Sequence, residues 1–171
     1  TEVGKTFVSV KLMQMFQEAG ETPGYFKPVA TGCIFKDGQL TSEDVLTVQK
    51  KTGFQEDPNL VNPVRYELPA APSIAARMAG ESVPLTHIRN SYKSMQEKYD
   101  CLVVEGIGGI LVPLTDSYLI IDLVKELNLG TLIVTKPNLG NINHTALTVR
   151  VLRDFGIRIL GIVVSYASNK D

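Results

Sequence analysis

Runs of one charge sign are missing from this chain. Its 17 lysines and arginines are interspersed with 18 acids, for a formal net charge of −1. No basic patch is therefore available to neutralise nucleic acid phosphates or an anionic membrane surface, and neither is expected as a partner. Long apolar runs are missing too. The longest, such as Ile159-Leu160-Gly161-Ile162-Val163-Val164, fall far short of a membrane span. The only cysteines, Cys33 and Cys101, lack metal-ligand spacing and read as buried thiols of a reducing compartment. His87 and His144 are lone histidines without a partner at ligand spacing, which argues against metal binding by either. No repeat, low-complexity tract or linker interrupts the 171 residues, of which 44% are hydrophobic. Length and composition fit one domain spanning 1–171 with a sizeable core.

What is there is an alternation of short apolar strands and helical patterns. Phe7, Val8, Val10, Leu12, Met13 and Phe16 recur at mixed three- and four-residue spacings and predict a helix over 7–19, stopped by Gly20 at its C′ position. A strand is expected over 25–30, and a helix over 42–52 capped by Thr41 or Ser42. The proline-punctuated 58–72 reads as a loop with a short extended piece around Val64-Arg65-Tyr66. Helices follow over 74–78, 84–98, 117–127 and 143–155, and strands over 101–105, 131–135 and 159–164. Continuous apolar strands between amphipathic helices indicate a three-layer α/β fold, with a mostly parallel sheet covered on both faces.

Ligands of such folds sit at the carboxyl ends of the strands, so the polar residues after each apolar run are the candidates. The chain opens on Thr1-Glu2-Val3-Gly4-Lys5-Thr6, the back half of a phosphate-binding loop feeding a helix. There, backbone N–H groups favour anions, a lysine meets the β/γ-phosphates and a threonine hydroxyl ligates Mg²⁺. The front half of that loop is not in the sequence, so an apolar strand and a glycine are expected just before Thr1. Glu105 ends an apolar strand ahead of Gly106, Gly108 and Gly109. An acid so placed binds Mg²⁺ or caps the loop amides, and the residues alone leave both open. Lys27 lies between Phe26 and Pro28 at a strand end, as a snorkelling surface cation or as a charge aimed at a transferring phosphoryl group. Asp44 near a helix start suits either the helix dipole or a metal.

Four stretches together resemble dethiobiotin synthetase, a phosphate-loop NTPase family. They are the opening hexapeptide; Tyr25-Phe26-Lys27-Pro28-Val29-Ala30-Thr31-Gly32; Val104-Glu105-Gly106-Ile107-Gly108-Gly109-Ile110-Leu111-Val112-Pro113-Leu114; and Leu139-Gly140-Asn141-Ile142-Asn143-His144-Thr145-Ala146-Leu147-Thr148. Tyr66-Glu67-Leu68-Pro69-Ala70-Ala71-Pro72 also looks like a loop of that family. Cobyrinic acid amidotransferase domains share the lysine-proline strand end but not the stretch from Leu139. A regulatory nucleotide-binding domain of that kind is the alternative reading.

The resemblance implies ATP- and Mg²⁺-dependent ureido ring closure on 7,8-diaminononanoate with CO₂, in a cytoplasmic homodimer. It implies that Glu2, Val3, Gly4, Lys5, Thr6 and Phe7 wrap the phosphates, with Thr6, Asp44 and Glu105 on the metal. Gly106, Ile107, Gly108 and Ser165 would complete the nucleotide site. Lys27 and Lys5 would be catalytic. Thr1, Thr31, Gly108, Leu139, Gly140, Asn141 and Asn143 would meet the substrate, those from Leu139 onward across the dimer interface. Ser165 stands where the family usually has an adenine-reading asparagine, which implies looser base selection. A C-terminal portion that normally completes the pocket is expected beyond Asp171.

Overall fold

The computed structural model describes residues 3–36 and 38–166. Helix α1 (Lys5–Glu18) starts directly from Gly4, whose φ of 90° only glycine adopts without strain. It ends where the sequence predicts: Gly20 N–H donates to the Gln17 carbonyl and Glu21 N–H to the Phe16 carbonyl, a Schellman closure.

The strand expected over 25–30 is interrupted. Strand β1 (Pro23–Phe26) and strand β2 (Val29–Ala30) flank Lys27-Pro28, and proline has no N–H to continue a ladder. Next come β3 (Ile34–Lys36) and β4 (Gln39–Thr41), an antiparallel hairpin that the sequence reading lacks. Its signal is the Asp37-Gly38 dipeptide. Helix α2 (Glu43–Thr52) has Ser42 at its N-cap position, although the Ser42 side chain makes no capping bond. The proline-rich stretch holds a short helix α3 (Pro58–Val61), strand β5 (Val64–Arg65) and the start of α4 (Pro72–Met78). Helix α5 (Leu85–Lys98), strand β6 (Cys101–Val104), helix α6 (Ile120–Glu126), strand β7 (Thr131–Thr135), helix α7 (Asn141–Asp154) and strand β8 (Ile159–Val164) follow, each near its expected bounds.

Among the described residues the strands pair two by two. β1–β6, β2–β5 and β7–β8 are parallel, and only the β3–β4 hairpin is antiparallel. Successive strand residues point to opposite faces, and β1 shows both faces covered. The Tyr25 hydroxyl and the α1 hydroxyl of Ser9 meet on one face, both bonded to Glu105. On the other face Phe26 packs against Tyr92 of α5, with ring centroids 5.7 Å apart. Within β1, Gly24 is required by space: a Cβ there would sit 2.6 Å from Leu102 and 2.7 Å from Tyr99.

The core has two parts. The larger gathers Met13, Phe26, Val48, Ile88 and Met95; the smaller gathers Ile121, Ile133, Leu152 and Ile157. Ile110 and Val124 pack against both and join them. Of the two thiols, Cys33 is buried as expected, whereas Cys101 is only half-buried, like Leu102 and Val104 of the same strand.

Ile88 is fully buried in the larger core. Ile88→Val should cost about 0.5–1.5 kcal/mol and Ile88→Ala about 2–5 kcal/mol in urea unfolding. Equal losses for the two variants would contradict this packing.

Candidate phosphate and metal site

The first turn of α1, the ends of β1 and β6, and the N-terminus of α2 converge on one cavity of about 650 Å³. Gly4, Lys5, Thr6 and Phe7 form one wall. A helix leaves its first N–H groups without intrahelical partners, and the Val8 N–H already uses the Gly4 carbonyl. The amides of this first turn therefore open on a cavity suited to an anion. The Lys5 ammonium is lowered from its ordinary value of 10.5, first by burial and then by the nearby Lys27 cation.

Opposite this wall lies a cluster of charges. Lys27 is 3% exposed, and its Nζ lies 2.5 Å from Asp44 Oδ2 and 3.0 Å from Glu105 Oε1. Burial alone would lower its pKa, but Glu105 and then Asp44 more than reverse that, so the ammonium is held above 10.5. Burial would likewise raise the Asp44 carboxyl; Lys27 outweighs it and holds the group below 3.8. The Lys27 main chain is pinned on both sides. Its N–H donates to the Val61 carbonyl at 2.8 Å, and its carbonyl accepts from Asn62 Nδ2 at 2.7 Å.

Thr6 Oγ1 lies 2.7 Å from Asp44 Oδ1 and 2.9 Å from Glu105 Oε1. A hydroxyl has one proton, so it can donate to only one of the two at a time. Two carboxylates thus flank the Lys27 ammonium, and the Thr6 hydroxyl lies against both acids. Hard oxygens with only two carboxylates suit Mg²⁺, which completes its shell with water and phosphate. Among the described residues no group of three or more His, Cys, Asp or Glu could hold a metal, so any metal here relies on that mixed set.

The cavity also brings in Thr31, Ile107 and Gly108, all named from the sequence. Val3 and Gly106 adjoin it in sequence without lining it. Thr1 and Glu2 lie outside the described residues. Leu139, Gly140, Asn141 and Asn143 are not brought to this cavity: they form the turn and first residues of α7, where Asn141 Nδ2 donates to the Lys136 carbonyl. Ser165 is buried just past β8, its N–H donating to the Thr135 carbonyl at 2.7 Å, and also does not line the cavity. Sequence reasoning missed Ser9, Tyr25 and Asn62. Ser9 was findable, being one helical turn on from Thr6 on the same face. Tyr25 was findable too, two residues before Lys27 on an extended chain. The Tyr25 phenol is fully buried and held well above 10, chiefly by burial and then by Glu105, so it stays a donor.

Comparison with known proteins adds to this geometry. A family model described as an AAA domain matches residues 1–171. The ATP-dependent dethiobiotin synthetase BioD of Methanocaldococcus jannaschii is 41% identical, over 96% of this chain and 75% of the relative. Proteins of the same name from Methanococcus vannielii and Bacillus licheniformis are each 38% identical. They cover 96% and 99% of this chain, and 74% and 71% of their own lengths are matched.

The charge cluster has a pH signature. With its carboxyl held below 3.8 by Lys27, Asp44 adds stability that is fully present above that value. This stability is lost as pH falls through the lowered folded-state pKa. The urea-midpoint difference between wild type and Asp44→Asn should stay constant from about pH 5 to about pH 9 and shrink below about pH 4. A difference that grows on acidification would contradict the pairing.

Proposed function

This chain belongs to the ATP-dependent dethiobiotin synthetase family, and on that premise we propose that it closes the ureido ring of dethiobiotin from 7,8-diaminononanoate, CO₂ and ATP. One observation carries the reading: two lysines, two acids and a threonine hydroxyl meet at a helix N-terminus. Phosphoryl transfer asks for that set, because it needs positioned cations more than covalent help.

One amine of the diamine takes up CO₂, giving a carbamate and a proton. A carbamate oxygen attacks the γ-phosphorus and ADP leaves. The second amine then attacks the carbonyl of the mixed anhydride, phosphate departs, and the ring is closed. Mg²⁺, held by Thr6, Asp44 and Glu105, would offset charge on the phosphates and hold them in line. The α1 amides and Lys5 bind the phosphates. Lys27 offsets charge on the carbamate and on the transferring group, while Thr31 and Gly108 border the diamine. Residues 1–171 act as a single nucleotide-binding domain, with Glu2, Val3, Gly106 and Ile107 at the phosphates and Ser165 at the base.

A homodimer fits the turn before α7, where Leu139 and Ile142 are almost wholly exposed. Leu139, Gly140, Asn141 and Asn143 would then hold the carboxylate of a diamine bound by the partner copy, at a helix N-terminus suited to an anion. Cytoplasmic residence goes with two free thiols. The balanced charge of the chain goes with small-molecule partners and not with nucleic acid or a membrane.

The purified protein should form dethiobiotin from the diamine, bicarbonate and Mg·ATP; no product under those conditions defeats the proposal. Lys27→Ala should lose turnover by about 10³-fold while still binding nucleotide, and a variant that retains wild-type turnover removes Lys27 from the mechanism. Because Ser165 replaces the family's asparagine, GTP or CTP should also support measurable turnover. Strict dependence on ATP would show that Ser165 does not loosen base choice.

A further inference from the structure

Glu105 is 4% exposed and lies deep against the β1–β6 pair. A carboxylate removed from water in this way needs partners for its lone pairs. Its two oxygens are used differently. Oε1 is the cavity side: the Thr6 hydroxyl lies 2.9 Å away and the Lys27 ammonium 3.0 Å away. Oε2 is turned from the cavity and accepts from the Ser9 hydroxyl at 2.8 Å and the Tyr25 hydroxyl at 3.0 Å.

Neither Ser9 nor Tyr25 lines the cavity, so neither is placed to touch nucleotide or substrate. Ser9 is 5% exposed and Tyr25 0%. At positions so buried, alanine and phenylalanine would fill the space without a polar group to satisfy. The two hydroxyls have one thing to do here, which is to donate to the same oxygen. Two donors from separate elements, α1 and β1, fix the plane of the carboxylate. The other oxygen, Oε1, is thereby kept facing the cavity, where Thr6 and Lys27 already meet it.

We infer that Ser9 and Tyr25 are positioning residues for Glu105, setting the affinity of the site for its divalent metal by holding one carboxylate oxygen so that the other faces the cavity. The inference rests on Glu105 being a metal ligand, as proposed above. Pinning a ligand from behind counts most where the metal takes few protein groups, as it would with one hydroxyl and two acids.

Manganese(II) titrations of the ADP-bound enzyme, with free metal followed by electron paramagnetic resonance, give a readout separate from turnover. Ser9→Ala and Tyr25→Phe should each weaken Mn²⁺ binding by roughly tenfold to a hundredfold, with ADP affinity in metal-free buffer unchanged. In steady state, excess Mg²⁺ should bring the kcat of both variants back towards wild type while the metal concentration needed for half-maximal rate stays raised. A lower unfolding midpoint with wild-type Mn²⁺ affinity in both variants would show a structural role only and overturn the inference. Weakening in one variant alone supports it for that hydroxyl and overturns it for the other. Glu105→Gln separates the two levels. If it too leaves Mn²⁺ affinity unchanged, the metal-ligand reading falls and takes this inference with it. If it weakens binding while Ser9→Ala and Tyr25→Phe do not, only the positioning role falls.

Discussion

A lysine ammonium buried between two carboxylates holds this site together. Lys27 holds its charge out of water because Asp44 and Glu105 stand beside it, and the oxygens of Glu105 are in turn satisfied by Lys27 and the hydroxyls around it. The three groups come from three distant parts of the chain: the end of β1, the first turn of α2 and the end of β6. Their mutual need ties those elements together. The parallel β1–β6 register brings Phe26 opposite Val104, so that the residues following each, Lys27 and Glu105, emerge side by side. Helix α1 then closes the group with Thr6 and Ser9 from one face.

This arrangement also explains how one cluster serves stability and chemistry together. In this structure the two acids balance Lys27. Under the function proposed above, phosphates and a divalent cation entering the cavity would give the same acids a second positive charge to balance and the lysine a new anion to face. Charge is redistributed among groups already in place, with no buried charge left unpaired. Preorganisation of that kind is where electrostatic catalysis gets most of its effect.

Much of this was legible in the sequence, for particular reasons. Glycine before lysine and threonine, followed by an apolar helical pattern, located the α1 start. The apolar run ending in Glu105 located the end of β6, because a buried parallel strand lacks the alternation that would blur its limit, whereas the strand expected over 25–30 ran on through Lys27, where the chain in fact divides into β1 and β2. Asp44 was legible only as one of two equal readings, and its bond to Lys27 is a matter of tertiary contact. The β3–β4 hairpin escaped because its apolar side chains, Ile34 and Phe35, are exposed and follow no core-facing pattern. Ser9 and Tyr25 escaped for the opposite reason. Each looks like an ordinary core position, and the cues that mark it, helical spacing from Thr6 and alternation with Lys27, identify a face and not the distant partner, Glu105, that uses its hydroxyl.

The proline after Lys27 has a consequence for time. Pro28 restricts the residue before it to extended backbone, and the bonds to Val61 and Asn62 hold the Lys27 main chain at both its N–H and its carbonyl. Any change of partner by the ammonium must therefore come from side-chain torsions alone. Exposed side chains rotate in picoseconds to nanoseconds and a buried one such as Lys27 only as its neighbours give way, whereas collective domain motions take microseconds to milliseconds. Under the function proposed above, a shift of this lysine from acid to phosphate would need no movement of the main chain between β1 and β2.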